Sequence, residues 1–140
     1  MSAAEHYYVD TSAYLCVLLG EEGWEALVGE LRGARVVSSS LLVLETTRTL
    51  VRLSRIGVLA ADRLQLALER VETDLTGFVL RDLTLDLCRG LTMPVVTTPR
   101  SLDLAHLRTA LWFHERDPLT RFVSLDGPQN LAARELGLRV

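Results

Sequence analysis

Four acidic residues, Asp10, Glu45, Asp103 and Asp126, stand where carboxylates can do chemistry together. Asp10 closes the β-prone run His6-Tyr7-Tyr8-Val9, and Asp126 follows Arg121-Phe122-Val123-Ser124, so each lies just past the carboxyl end of an expected strand. Glu45 interrupts Leu41-Leu42-Val43-Leu44 one turn into an expected helix, and Asp103 comes two residues after Ser101, which opens another. Singly, each has a plainer reading. Asp10 can cap a helix, Asp126 can make a turn with Gly127-Pro128, and Asp103 can favour a positive helix end. Glu45 can pair with Arg48 or Arg52 at helical spacing. Together they are more specific. Carboxylates ~5 Å apart repel by roughly 3 kcal/mol per pair at an effective dielectric of 20, so a cluster needs a cation or a protonated member. Hard oxygen donors without a His or Cys cluster select magnesium or manganese over zinc. Such an ion can orient a phosphodiester and activate water against it.

The elements that must position these acids alternate. Short strands are expected at His6–Val9, Arg35–Val37, Phe78–Leu80, Arg121–Ser124 and, last, Leu138–Val140. Helices are expected over Ala13–Leu19, Glu22–Leu31, Ser40–Arg55, Ala60–Thr73, Leu83–Leu91, Ser101 to His114 or Glu115, and Gln129–Leu136, with a loop at Met93–Pro99. This alternation predicts a three-layer α/β/α sandwich around a central parallel sheet of four to five short strands. Ligands in such sheets bind beyond the carboxyl ends of the strands, where the strand order switches. Residues 1–140 read as one domain.

The segments Tyr8-Val9-Asp10-Thr11-Ser12-Ala13, Ser40 to Glu45, Arg100 to Ala110 and Phe122 to Asp126 resemble, in order and spacing, the four signature blocks of the PIN domain. The opening Asp-Thr-Ser and the Asp103-x-x-His106-Leu107-x-Thr109-Ala110 block resemble most the VapC ribonuclease toxins of bacterial toxin–antitoxin pairs. The resemblance implies that Asp10, Glu45, Asp103 and Asp126 are catalytic, metal-binding acids for Mg2+ or Mn2+. It implies Thr11 or Ser12 positioning Asp10, and Ser124 as a supporting residue. The implied reaction is endonucleolytic hydrolysis of single-stranded RNA, leaving a 5′-phosphate and a 3′-hydroxyl. A cognate antitoxin and a homodimer are the implied partners. Arg108 stands where the family commonly has a small residue, which alters packing or meets a partner. RNA maturation, or a non-catalytic RNA- or protein-binding role on the same fold, remains the alternative.

Composition narrows the field. The 140 residues carry a net charge of −3, and all 15 basic residues are arginine, with no lysine. A broad basic surface for nucleic acid is not expected. An α/β phosphoacceptor needs a lysine near its aspartate, and the phosphatase version needs a second Asp where Ser12 stands. No apolar run is long enough to span a membrane and no secretory leader opens the chain, so a cytoplasmic protein is expected. Cys16 and Cys88 read as small buried hydrophobes, and Trp24 and Trp112 as core or interface residues. Arg48, Arg52 and Arg55 form a stripe that is either a solvated face or a contact for RNA or antitoxin, as Arg100 also can be. His106 reads as a packed histidine more readily than as an acid–base partner, and Asn130 as solvated more readily than as an oxygen donor to metal-bound water. His6 and His114 have no identifiable company.

Overall fold

The computed structural model describes residues 4–97 and 100–140. Strands β1 (His6–Val9), β2 (Arg35–Ser39), β3 (Val79–Arg81) and β4 (Arg121–Val123) form one all-parallel sheet in the order β3-β2-β1-β4. The chain builds outward from β1 through β2 to β3, then returns to place β4 on the other side of β1. The switch in strand order therefore falls between β1 and β4, and Asp10 donates its backbone N–H to the Val123 carbonyl there at 3.1 Å.

Alternation along β1 sorts its side chains between two helical layers. Tyr7 and Val9 join Val36 and Val123 against α1 (Thr11–Leu19), α2 (Trp24–Leu31), α3 (Leu41–Arg55) and α4 (Ala61–Leu75). Tyr8 joins Val37 and Phe122 against α6 (Ser101–Arg116) and α7 (Gly127–Glu135). In register, Tyr8 lies between Val37 and Phe122, at the centre of the sheet and fully buried. The three-layer parallel architecture expected from the alternation is what the chain adopts.

Several local expectations are corrected. The helix expected over Leu83–Leu91 is only α5 (Leu85–Cys88), followed by a 3-10 turn at Gly90–Thr92. Leu87 is buried while Leu85 and Leu91 are exposed, so packing supports no longer helix and Gly90 weakens it further. Leu138–Val140 is not a strand: among the described residues its one backbone bond to β4 is the Phe122 N–H donating to the Arg139 carbonyl at 2.7 Å. Ser101 and Ser40 do not cap their helices by side chain; Ser39 Oγ accepts from Leu41 N–H instead. Cys16 is buried as expected, but Cys88 is exposed on the short α5. Trp24 is 37% exposed, and Trp112 is half-buried beneath the guanidinium of Arg116, 3.8 Å from its ring centre, with that of Arg81 also over the ring. Within the loop expected at Met93–Pro99, Met93–Thr97 has no regular structure, and Thr98 and Pro99 lie outside the described residues. No helix is long and apolar enough to cross a membrane among the described residues.

Candidate active site at the carboxyl ends of β1 and β4

One cavity of about 600 Å³ opens at this switch point, and Asp10, Glu45, Asp103 and Asp126 all line it. They arrive from four directions: the end of β1, the second turn of α3, the first turn of α6 and the residue before α7. Thr11, Ser12, Arg48, Arg100 and His106 share its wall. Arg52, further along α3, is exposed and does not line it. A smaller cavity of about 260 Å³ between α1, α2 and the sheet holds a single acid, Asp74, already bonded to Tyr14 and Arg70. The larger cavity, which gathers the four acids, is the candidate site.

The two deeper acids are each tied down by one oxygen. Asp10, 5% exposed, accepts on Oδ1 from Ser12 Oγ at 2.6 Å and from Ala13 N–H at 3.2 Å. It therefore does cap α1, and lines the cavity as well. Glu45 accepts on Oε1 from Thr11 Oγ1 at 2.8 Å and, at 2.7 Å, from Nε2 of His106. Glu45 Oε2 is not hydrogen-bonded among the described residues. Asp126 stands at the cap position of α7 but makes no side-chain cap, so the capping role open to it from sequence is not what it does.

Sequence reasoning grouped Thr11 with Ser12 as supports for Asp10. Ser12 fills that role, whereas Thr11 reaches Glu45. Ser124 is buried, lies 3.3 Å from Ser12 Oγ, and accepts from the Asp126 N–H at 3.1 Å, joining the β1 and β4 ends. Glu45 takes neither Arg48 nor Arg52 as a bonded partner. His106 is packed, 2% exposed, and also bonded to Glu45, which the helical pattern alone did not reveal. Gln129, which no sequence pattern marks, is 2% exposed and donates from Nε2 to the Asp103 carbonyl at 2.9 Å, tying α7 to α6. Asn130 donates to the Ser124 carbonyl at 2.9 Å, and its buried Oδ1 has no partner among the described residues. Arg108 is buried in α6, and its Nε has no partner among the described residues.

The electrostatics divide the acids. Burial raises the Asp10 carboxyl above the ordinary value, against the pull of Ser12, Ser124, Ala13 N–H and His106. Asp103 is also raised, by burial first and then by the charges of Asp126 and Asp10, with Arg100 and His106 opposing. Burial acts upward on Glu45 too, but the hydrogen bond and charge of His106, with Thr11 and Arg48, together bring it below the ordinary value. An acid raised by its acidic neighbours, as Asp103 is, is one a bound cation would relieve. No three acidic, His or Cys side chains among the described residues form a ready metal cage. The oxygen donors of the four acids at the cavity are of the kind Mg2+ or Mn2+ takes.

The PIN domain family model matches residues 7–118, a span that takes in Asp10, Glu45 and Asp103 and ends before β4. The chain belongs to the PIN domain family, whose members are generally nucleases that use divalent metals. No curated relative matches it.

Proposed function

We propose that this chain is a magnesium- or manganese-dependent endoribonuclease that cleaves single-stranded RNA and acts as the toxin of a type II toxin–antitoxin pair. The observation that carries the nuclease reading is the arrival of four carboxylates from four separate segments at one cavity on the switch point of the sheet. Asp10, Asp103, Asp126 and Glu45 would hold the ion, which when bound supplies a water activated for attack on phosphorus and neutralises charge on the phosphate. Ser12 and the α1 N-terminus orient Asp10, while Thr11 and His106 orient Glu45. Arg48 and Arg100, on the cavity wall, bind the flanking phosphates. The attacked bond opens to give a 5′-phosphate on one fragment and a 3′-hydroxyl on the other.

The toxin assignment rests on the likeness of the Asp10-Thr11-Ser12 opening and the Asp103–Ala110 block to VapC toxins. With it go a cytoplasmic location, a homodimer, and an antitoxin that enters the acidic cavity, with Arg52 available to it on exposed α3. RNA maturation by the same chemistry is the second reading. A small upstream gene for a DNA-binding antitoxin separates the two.

Purified protein incubated with total RNA and Mn2+ should generate new 5′ ends at defined positions. Asp10→Asn and Asp103→Asn should lose that cleavage by at least about a hundredfold while remaining folded. Wild-type-like cleavage in either variant would remove the metal-site model. RNA binding without cleavage in the wild type would leave a non-catalytic module.

A further inference from the structure

Hydrolysis that leaves a 5′-phosphate and a 3′-hydroxyl takes its nucleophile from water and releases the 3′ oxygen, so the neighbouring 2′-hydroxyl makes and breaks no bond. Acids and an ion performing that reaction act on RNA and DNA alike, and a preference for RNA needs a side chain that contacts the 2′-hydroxyl. We propose that Thr49 is that side chain: its hydroxyl binds the ribose 2′-hydroxyl of the nucleotide beside the cleaved phosphate. The assignment rests on the nuclease reading given above and names what selects its substrate.

The cavity wall leaves few other candidates. A sugar hydroxyl both donates and accepts, and the partner that suits it best does the same. Carboxylates only accept and arginines only donate, and in this site they serve the ion and the phosphates. Thr11 and Ser12 give their single hydroxyl hydrogens to Glu45 Oε1 at 2.8 Å and Asp10 Oδ1 at 2.6 Å, and Ser12 Oγ also accepts from the Leu125 N–H. The two ring nitrogens of His106 each lie 2.7 Å from a partner, Tyr8 and Glu45. Leu15 and Leu102, also on the wall, carry no polar side-chain atom. Thr49 is half-buried on the same wall, and its hydroxyl has no hydrogen-bond partner among the described residues. Nor does it turn back to the carbonyl one turn earlier in its helix, as Thr73 does to Glu69 and Thr109 to Ala105.

Its place on α3 suits a sugar. Glu45 and Thr49 are four residues apart, so they stand one turn apart on one helix face with Cβ atoms about 5–6 Å from each other. Arg48, three residues after Glu45, lines the cavity beside them. An ion at Glu45, a phosphate at Arg48 and a ribose at Thr49 are then neighbours, as phosphate and sugar are along a nucleotide chain.

Single-turnover cleavage with Mn2+ tests this on a single-stranded RNA bearing a mapped cut site and on copies with one 2′-deoxynucleotide at each position around the cut. For the wild type, one deoxy position should slow cleavage about tenfold, the worth of one neutral hydrogen bond. Thr49→Val keeps the branched shape and removes the hydroxyl. It should cut the all-ribose strand about tenfold more slowly and that deoxy strand at the wild-type rate, while Thr49→Ser keeps the wild-type preference. A wild type that cuts every deoxy copy as fast as the RNA overturns the assignment with no variant needed. So does a Thr49→Val protein that slows both strands equally and keeps the tenfold preference. A wild type that leaves all RNA uncut fails earlier, at the nuclease reading, and takes the assignment with it.

Discussion

The acids in the cavity do not respond alike to their surroundings, and the difference sets opposite effects for charge removal. Asp103 is raised, by burial and then by Asp126 and Asp10, so the folded chain holds its proton more tightly than the unfolded chain does. Above its folded value the ionised group subtracts stability, and that loss disappears as the pH falls through the value. Asp103→Asn should therefore raise the metal-free melting temperature at about pH 7 by about 2 °C, a modest figure because the group is partly exposed. Glu45 is lowered, so its contribution is present above the ordinary carboxyl range and is lost as the pH falls through its folded value. Glu45→Gln should destabilise by on the order of 1 kcal/mol near neutrality. Melting curves at about pH 7 and about pH 4 should show both differences shrinking on acidification, from opposite signs. Two variants shifting in the same direction would contradict the division. Glu45 looked out of place in its leucine run from sequence alone, but its partners did not show. Thr11 is 34 positions away and His106 61, and helical spacing only offered Arg48 and Arg52.

At the level of elements, the strand–helix alternation was legible because each short strand ends on a turn or cap signal and each long helix keeps one apolar face. Helix α5 and the end of the chain were not, because their state depends on what lies beside them: Leu85 and Leu91 find no cover, and Arg139 meets β4 through one bond. The link between α6 and α7 was equally hidden. Gln129 reads as an ordinary first-turn residue, and glutamine is seldom buried, yet it is 2% exposed and bonded to the Asp103 carbonyl. That bond sets the start of α6, which carries Asp103, against the start of α7, which follows Asp126. Gln129→Leu keeps most of the volume and removes the bond. It should change stability by less than about 1.5 kcal/mol and lower metal-dependent cleavage about tenfold. Denaturant unfolding beside a cleavage time course checks both parts. Full activity would mean that the two helix starts are aligned without it.

For the whole molecule, the decisive arrangement is one that no local pattern encodes. Sequence places Asp10 and Asp126 at strand ends, but they become neighbours only because β4 pairs with β1 and not with β3. The net charge of −3, by contrast, was readable from the start, and it constrains how RNA can be held. The cavity concentrates four acids and has two arginines on its wall, Arg48 and Arg100. Metal-free, it should repel a phosphate chain, and binding should need the cation. With Mg2+ present and cleavage blocked by Asp10→Asn, two phosphate contacts on a single strand give a slope of about −1.4 in log affinity against log salt. Anisotropy of a labelled single-stranded RNA between about 50 and 200 mM salt measures that slope. Replacing Arg48 and Arg100 together by Gln should bring it close to zero and weaken binding without regard to RNA sequence. A wild-type-like slope in the double variant, or one steeper than about −4, would move the RNA to a wider basic surface than this cavity offers.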